Sequence, residues 1–405
     1  MRAGNHNFYL EQGTNFTRNI YVEAPIASPT TDELYEPYNL VGFKARMQVR
    51  RTVSAIAIAI SLSLALTACD PPMPENLRIA QAELEVQCET GDVTLSLPEA
   101  ITDVGFGWSD SLTFGCTDMT ITTTDEFSTD SNLVIGESSL IAARCEAFEQ
   151  VPVALDAAVL VVNIPDIFEV FLDPTQIVGI FNGTITSWAD PALAVNNEGY
   201  SFPDIPIVLP TQATVSAKNA LSEWIGRLAG EPLVLDAVAD ASGVTEAELA
   251  MPMEEGAIGI ASFSAATYMG SAIVAILTTP GDFESLIFAD NGSISSAGTQ
   301  LVATTGENGL DLILDPAIEP TPEQGAFEAL APYQAIYPVS LALCGSDNTL
   351  IRTAARYLLR QDSQGVIASA TMLPLPEAAR IEAIKLVVVG LPVPTPAATE
   401  QTDQG

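Results

Sequence analysis

Short apolar runs alternate with amphipathic stretches over most of the chain from about residue 91 onward. β-Branched runs bounded by polar or glycine positions predict strands at 93–97, 119–122, 133–135, 158–162, 256–261 and 273–277. Apolar residues at helical spacing predict amphipathic helices at 217–228 and 350–359. Because strands alternate with helices, the pattern predicts an α/β protein.

A different pattern precedes this region. An unbroken run of apolar and small residues at 53–66 follows Arg50 and Arg51 and leads to Cys69. Such a run is typical of a secretory signal peptide, and it is shorter than the roughly 20 residues that a membrane-spanning helix needs. Its end resembles a bacterial lipobox, which predicts a lipid anchor on Cys69. The alternatives are a signal peptide with an incidental cysteine, or a short buried helix.

The termini are expected to lie outside the folded part of the protein. Met47 would begin a standard signal peptide at 47–68, so residues 1–46 are expected to be a mis-assigned or extra segment. A genuine cytoplasmic extension is the alternative. Prolines after Cys69 predict a stiff tether over 69–84, and the Pro/Thr/Ala-rich end predicts a disordered tail at 391–405.

Composition excludes several classes of function. From Cys69 onward, nine Lys or Arg stand against 46 Asp or Glu, which disfavours nucleic acid and anionic lipid headgroups as partners. The one histidine, His6, precedes the predicted signal peptide. The exported part therefore lacks the histidine that Ser-His-Asp catalysis or a histidine-ligated zinc site requires. We expect a protein that is not an enzyme and holds no metal or other cofactor.

Four cysteines follow Cys69, namely Cys88, Cys116, Cys145 and Cys344. An even number outside the cytoplasm predicts two disulfides with three possible pairings, and free buried thiols are the alternative. Cys88–Cys116 or Cys116–Cys145 would be a local bridge, whereas Cys344 would need a partner far upstream.

The segment 172–196 is the most distinctive motif of the chain, and it includes Phe181, Trp188 and Asp190-Pro191. Five further segments belong to the same comparison, at 151–163, 203–207, 256–259, 337–339 and 365–376. Together they resemble the phosphate-binding proteins of bacterial ABC importers. The local chemistry predicts that Asp190 caps a short helix beginning at Pro191, and that Phe181 and Trp188 are core residues and not ligand contacts.

The resemblance covers about residues 130–385 and implies a two-lobed periplasmic-binding fold of type II. Each lobe would be a mixed sheet flanked by helices, with a ligand cleft between the lobes. One lobe would comprise residues 85–155 and 300–390, and the other residues 156–299.

The ligand cradle is where this chain departs from the family. The family has an Arg-x-Asp-Gly-Ser-Gly-Thr run before a helix, and the matching positions here are 211–217, with Thr211 for the arginine and Ala213 for the aspartate. The loop at 136–139 likewise has Ser139 where the family has aspartate. The resemblance thus implies ligand contacts from Ser138, Ser139, Thr211, Gln212, Thr214 and Ser216. Lys218 could supply a point charge, and a solvated lysine is the alternative.

Losing these charges weakens the case for a tightly held anion, because hydrogen bonds to charged groups are worth roughly 1.5–3 kcal/mol each. We expect a monomeric, lipid-anchored, extracytoplasmic solute-binding protein. It would deliver a small polar or anionic ligand, with phosphate as one candidate, to an ABC permease. The alternative is a non-transporting surface or sensor lipoprotein that kept the fold.

Overall fold

The computed structural model of the protein describes residues 23–25, 35–37, 88–124, 128–142, 144–197, 199, 201–306, 309–322, 329–367 and 371–389. The chain forms two compact units, residues 1–70 and 71–405. In the first unit, strands β1 (Glu23–Pro25) and β2 (Tyr35–Pro37) pair antiparallel.

Several sequence expectations fall outside the described residues. They are the signal peptide at 47–68, the lipid on Cys69, the tether at 69–84 and the tail at 391–405. These stay predictions.

The second unit contains the elements that matter for function. Its strands are β3 (Gly91–Ser96), β4 (Met119–Thr124), β5 (Leu133–Gly136), β6 (Ala147–Asn163), β7 (Val170–Leu172), β8 (Gln212–Ala213), β9 (Ala239–Asp240), β10 (Ala257–Ser262), β11 (Ala272–Leu277), β12 (Leu286–Ile287), β13 (Leu301–Gly306), β14 (Gly309–Leu314), β15 (Ile336–Cys344) and β16 (Leu373–Pro374). Its helices are α1 (Thr102–Gly115), α2 (Ser138–Ile141), α3 (Pro174–Phe181), α4 (Pro191–Ala194), α5 (Val215–Ala229), α6 (Glu246–Ala250), α7 (Phe263–Met269), α8 (Asn291–Gly298), α9 (Thr349–Leu358), α10 (Gln361–Ile367) and α11 (Glu377–Val387). Short 3-10 turns lie at Glu99–Ile101 and Phe283–Ser285.

The long strand β6 is the centre of the fold. Up to Ala157 it pairs antiparallel with β15, and Ala154 and Leu155 also pair with β16. From Ala158 onward it pairs antiparallel with β10, and Val161 and Val162 also pair with β11. One strand therefore carries two different sets of neighbours.

The sequence explains why β6 runs without a break. Residues 151–162 are all buried and almost entirely apolar, as expected of a strand covered on both faces. Sequence analysis assigned a strand at 158–162 and a crossing segment at 151–163. The structure unites these in one strand of 17 residues. Asp156 is the one charged residue within the buried run.

The main sheet is mixed, with strand order β12-β11-β6-β15-β5-β3-β4. Strand β3 is parallel to β4 and β5, whereas β15 is antiparallel to β5 and β6. Helices α5 and α11 pack against β6. The predicted α/β class, a large mixed sheet flanked by helices, is confirmed. The lobe boundaries remain a prediction.

Most predicted elements occur with end shifts of a few residues, because helix caps and strand pairing extend them. The hairpin β13–β14 was not predicted. Its register runs from the pair Leu301 and Leu314 to the pair Gly306 and Gly309. The surrounding stretch is acidic and rich in Gly, Pro and Thr, a composition that does not predict strands.

Helices α3 and α4 both begin with an aspartate cap. The Asp173 carboxylate accepts hydrogen bonds from the backbone N–H groups of Thr175 and Gln176 at 2.9 Å each. The Asp190 carboxylate accepts one from Ala192 N at 2.9 Å, and Pro191 is the first helical residue. The cap predicted at Asp190 is confirmed.

Trp188 anchors the segment 172–196 in the core. Its side chain is fully buried, and its indole N–H donates to the carbonyl oxygen of Gly256 at 2.8 Å. Gly256 has a φ of +80°, and a Cβ there would lie 2.4 Å from the Pro206 carbonyl oxygen, so glycine is required. Phe181 is partly buried against the same core. Trp188 is therefore a core residue, as predicted, and Phe181 packs against the core from a partly buried position.

Two disulfides join the four predicted cysteines. Cys88 pairs with Cys116, and Cys145 pairs with Cys344. Of the local bridges considered from the sequence, Cys88–Cys116 forms and Cys116–Cys145 does not. The far-upstream partner of Cys344 is Cys145, which lies between α2 and β6.

The longer disulfide is expected to contribute more stability. The sequence separations are 199 for Cys145–Cys344 and 28 for Cys88–Cys116, and a longer closed loop restricts the unfolded chain more. The double variant C145A/C344A should lose about 1–2 kcal/mol more free energy of unfolding than the control C88A/C116A, measured by urea unfolding. An equal or smaller loss would contradict the loop-entropy explanation.

The core role of Trp188 is testable with Trp188→Phe. The variant loses the hydrogen bond to Gly256 and some buried volume, so the free energy of unfolding should fall by about 1–3 kcal/mol. Urea unfolding and calorimetry of solute binding measure the two roles separately. Reduced solute affinity at unchanged stability would assign Trp188 to ligand contact instead.

Candidate functional site

Helix α5 places the predicted cradle residues at its first turn. Thr214 is the N-cap, and its hydroxyl oxygen accepts a hydrogen bond from Ala217 N at 3.3 Å. Ser216 follows in the first turn, where backbone N–H groups have no partner within the helix. The start of α5 is thus able to hold an oxyanion.

The carboxylate of Glu137 occupies this position. Its Oε1 accepts a hydrogen bond from Ser216 N at 3.2 Å, and the Ser216 hydroxyl donates to the same oxygen. Its Oε2 accepts from Ser139 N at 2.9 Å and Leu140 N at 3.3 Å, and the Ser139 hydroxyl also donates to it. Three backbone N–H groups and two hydroxyls therefore converge on one carboxylate.

Two predicted contacts, Ser139 and Ser216, thus meet at one point, although they are 77 positions apart in the sequence. Ser138 lies beside them but makes different bonds. Its hydroxyl bonds that of Ser340 at 2.9 Å and accepts from the Gln150 amide at 2.9 Å. The roles of all three serines in ligand binding stay predictions.

Thr211 and Gln212 have other neighbours. The Thr211 carbonyl oxygen accepts from Ala239 N at 3.0 Å, and the Gln212 amide oxygen accepts from Ser242 N at 3.4 Å. Both line a cavity of about 300 Å³ that extends to Met253 and Ile260.

Lys218 is neither a point charge at the cradle nor a solvated lysine. Its ammonium donates to the carbonyl oxygen of Val238 at 2.8 Å and forms an ion pair with Asp240 at 2.5 Å. It lines a different cavity, of about 550 Å³, together with Asp240. Asp240 lies on β9, so the positive charge of Lys218 is paired with that strand.

Glu137 is the residue of the candidate site that the sequence did not predict. The family comparison drew attention to Ser139, where an aspartate is lost, and passed over the acidic residue two positions earlier. The available signal was a glutamate directly before a short helix, at a cap position that usually carries Ser, Thr, Asp or Asn. Its contact with Ser216 could not be read from the sequence.

Asp156 lies in the buried part of β6, with 2% of its surface exposed. Burial raises the pKa of its carboxyl to about 7; the Ser264 hydroxyl lowers it and the charge of Glu246 raises it again. Ser264 donates to it through both its hydroxyl and its backbone N–H, at 2.5 and 3.2 Å. The carboxyl is therefore held in place without a cation among these partners.

Glu246, on α6, is a second buried acid near the same place. Burial raises the pKa of its carboxyl, whereas the hydrogen bond from Ser262 and the charge of Arg144 lower it. Burial also raises the pKa of the Tyr337 phenol well above its usual value, with further contributions from Asp156, Glu246 and Glu137. The charges of all three acids act on the Tyr337 phenol, so these groups form one cluster.

The cluster is not arranged as a metal site. Within the described ranges, no group of three or more His, Cys, Asp or Glu side chains is placed to hold a metal ion. A third cavity, of about 300 Å³, lies beside the cluster and runs from Ser216 and Tyr337 to Trp224 and Leu312. Asn219, Glu223, Arg227 and Gln334 make its lining partly polar.

None of the helices in the described part of the chain has the length and apolarity to cross a bilayer.

Family comparison agrees with this arrangement. The model of the PBP superfamily domain matches residues 129–339, more than half of the chain. The chain belongs to the PBP superfamily. The matched region begins just before β5 and ends within β15, so it includes Glu137, all of β6 and all of α5. The superfamily domain is thus the part of the chain that carries the candidate site.

Solved structures with a similar chain path include a phosphate-binding protein from Stenotrophomonas maltophilia. It has 15% identity and a TM-score of 0.44, and the match covers 73% of this PBP-superfamily chain and 94% of that one. An ABC-type phosphate transport receptor from Vibrio cholerae has 12% identity and a TM-score of 0.35, covering 71% and 100% of the two chains. No curated protein matches the chain by sequence.

The buried acid Asp156 predicts a stability that depends on pH. Its folded pKa of about 7 lies above 3.8, the ordinary pKa of an aspartate, so the folded state holds the proton more tightly than the unfolded state. The resulting stabilisation is complete below pH 4 and is lost as the pH rises through 7. Its size is on the order of 4 kcal/mol.

Asp156→Asn should remove this dependence because an amide does not titrate. From pH 4 to pH 8, the free energy of unfolding of the natural protein should fall by several kcal/mol more than that of the variant. Urea unfolding at each pH measures the difference. Parallel pH profiles for the two proteins would contradict the prediction.

Proposed function

We propose that the protein is an extracytoplasmic solute-binding protein that captures a small polar or anionic ligand and presents it to an ABC permease. One observation carries the proposal: donors from Ser139, Leu140 and Ser216 converge on one carboxylate, that of Glu137. A carboxylate is an oxyanion, so the same donors suit an anionic group of a ligand. These donors come from α2 and α5, which lie far apart in the sequence. An arrangement of this type suits a ligand that is gripped from two sides.

The course of β6 supports a division into the lobes 85–155 with 300–390, and 156–299. The strand changes partners between Ala157 and Ala158, from β15 to β10 and β11. A hinge at this point would allow the start of α5 to move relative to α2. Closure of the lobes would then bury the ligand, as in other hinge-closing receptors.

The cavity beside Ser216 and Tyr337 is the place where such a ligand fits best. Its volume of about 300 Å³ lies at the lower end of the range for small-molecule sites. Its amide, carboxylate and guanidinium groups suit a solute with several hydrogen-bonding groups. Phosphate is one candidate, because the similar solved structures are described as phosphate proteins.

The location and mode of action complete the proposal. A lipid on Cys69 would hold the protein at the outer face of the cell membrane, within reach of a permease. A single chain contributes both sides of the candidate site, which is consistent with a monomer. The role is binding and delivery, and the buried acids Asp156 and Glu246 serve structure and not catalysis.

Isothermal titration calorimetry of the purified protein against phosphate, sulfate, sugars and amino acids tests the function. At least one solute should bind with micromolar affinity. Ser216→Ala should weaken it about three- to tenfold through the loss of one hydrogen bond. The matched control is Ser222→Ala, since Ser222 lies on the same helix and donates only to the Leu233 carbonyl oxygen at 2.6 Å.

Absence of binding across the whole panel would contradict the transport role and leave the non-transporting surface lipoprotein as the alternative. An equal effect of the two serine variants would place the ligand away from the start of α5.

A further inference from the structure

The two oxygens of the Glu137 carboxylate serve different parts of the chain. Oε2 binds the backbone N–H groups of Ser139 and Leu140, as an N-cap of α2 would. Oε1 binds the backbone N–H and hydroxyl of Ser216, at the start of a helix 79 positions later. Capping α2 requires only the first oxygen, so the second contact needs a separate explanation.

The length of the side chain is important here. Aspartate is the usual acidic cap because its short carboxylate reaches the N–H groups of the first turn, as Asp173 and Asp190 do in α3 and α4. Glutamate is longer by one methylene group. At position 137 that extra length carries the second oxygen to Ser216.

Only 3% of Glu137 is exposed, but the two residues that follow it lie at the surface. Ser138 and Ser139 are both exposed. Solvent therefore reaches the start of α2, and rotation of the Glu137 side chain toward these serines would expose its carboxylate to water. The donors of Ser139, Leu140 and Ser216 would then be available to another oxyanion.

We propose that Glu137 is a tethered competitor for anionic ligands: its carboxylate fills the oxyanion position between α2 and α5, and an anion binds there only by displacing it. This specificity role rests on the proposed solute-binding function. A competitor attached to the same chain acts at a high effective concentration, in the millimolar range for short flexible attachments. Apparent anion affinity is lowered accordingly, whereas a solute that binds without using the donors of Ser139, Leu140 and Ser216 is not affected by this competition.

Glu137→Asp separates the competing role from simple capping. Aspartate keeps the cap of α2 but is too short to reach Ser216, so it frees the start of α5. Glu137→Ala frees both sets of donors, and Glu137→Gln keeps the shape of the side chain and removes its charge. Glu146→Gln is the matched control, since it removes one negative charge from an exposed position nine residues along the chain.

Calorimetric titration with inorganic phosphate and with sulfate measures the effect in these full-length variants. Phosphate should bind Glu137→Ala and Glu137→Asp at least about tenfold more tightly than the natural protein, the equivalent of about 1.4 kcal/mol. Glu146→Gln should bind as the natural protein does. Circular dichroism and thermal unfolding check that each variant is folded, and Glu137→Gln provides the comparison if the shorter side chains prevent folding.

Equal phosphate affinity in the natural protein and in a folded Glu137 variant would overturn the proposal and leave Glu137 as a structural cap. This outcome differs from failure of the transport role. That role fails when the natural protein binds no solute of the panel, whereas a gain of phosphate binding in Glu137→Ala would still establish competition at the oxyanion position.

Discussion

The fold depends on one constraint, the burial of β6 on both faces. Every strand in the main sheet order either pairs with β6 or belongs to a ladder that ends on it. A strand in this position must be apolar on both sides, and its backbone must find partners along its whole length. The chain meets the second requirement by changing partners at Ala157 and Ala158, which makes β6 the connection between the two halves of the sheet.

Asp156 is the one charged residue in the buried, otherwise largely apolar run of β6. It lies next to the change of partners, and its hydrogen bonds from Ser264 tie β6 to α7. A buried carboxyl with a pKa of about 7 is partly protonated near neutral pH. The stability of this part of β6 is thereby linked to proton concentration.

Glu137 supplies an oxyanion to the start of α5 from within the chain. The N–H donors at the start of α5 are a consequence of helix geometry. They remain whether or not the chain also has an arginine or aspartate that contacts the ligand. This chain lacks the charged residues that the family has at positions 211, 213 and 139. Without them, a bound ligand anion would be held less tightly by these donors. The chain supplies its own carboxylate from position 137, so these donors are satisfied within the protein. Under the competition proposed above, the same carboxylate would also make the site selective.

The sequence by itself determined the α/β class, most of the strands and helices, the cap at Asp190 and the packing of Trp188 in the core and of Phe181 against it. These follow from local periodicity, cap chemistry and apolar character, which act over a few residues. Only the tertiary structure decided that Cys145 pairs with Cys344, that Lys218 binds Asp240, and that Glu137 reaches Ser216. Each of these contacts joins residues distant in the sequence or on different elements, and their pairing depends on how β6 brings those elements together.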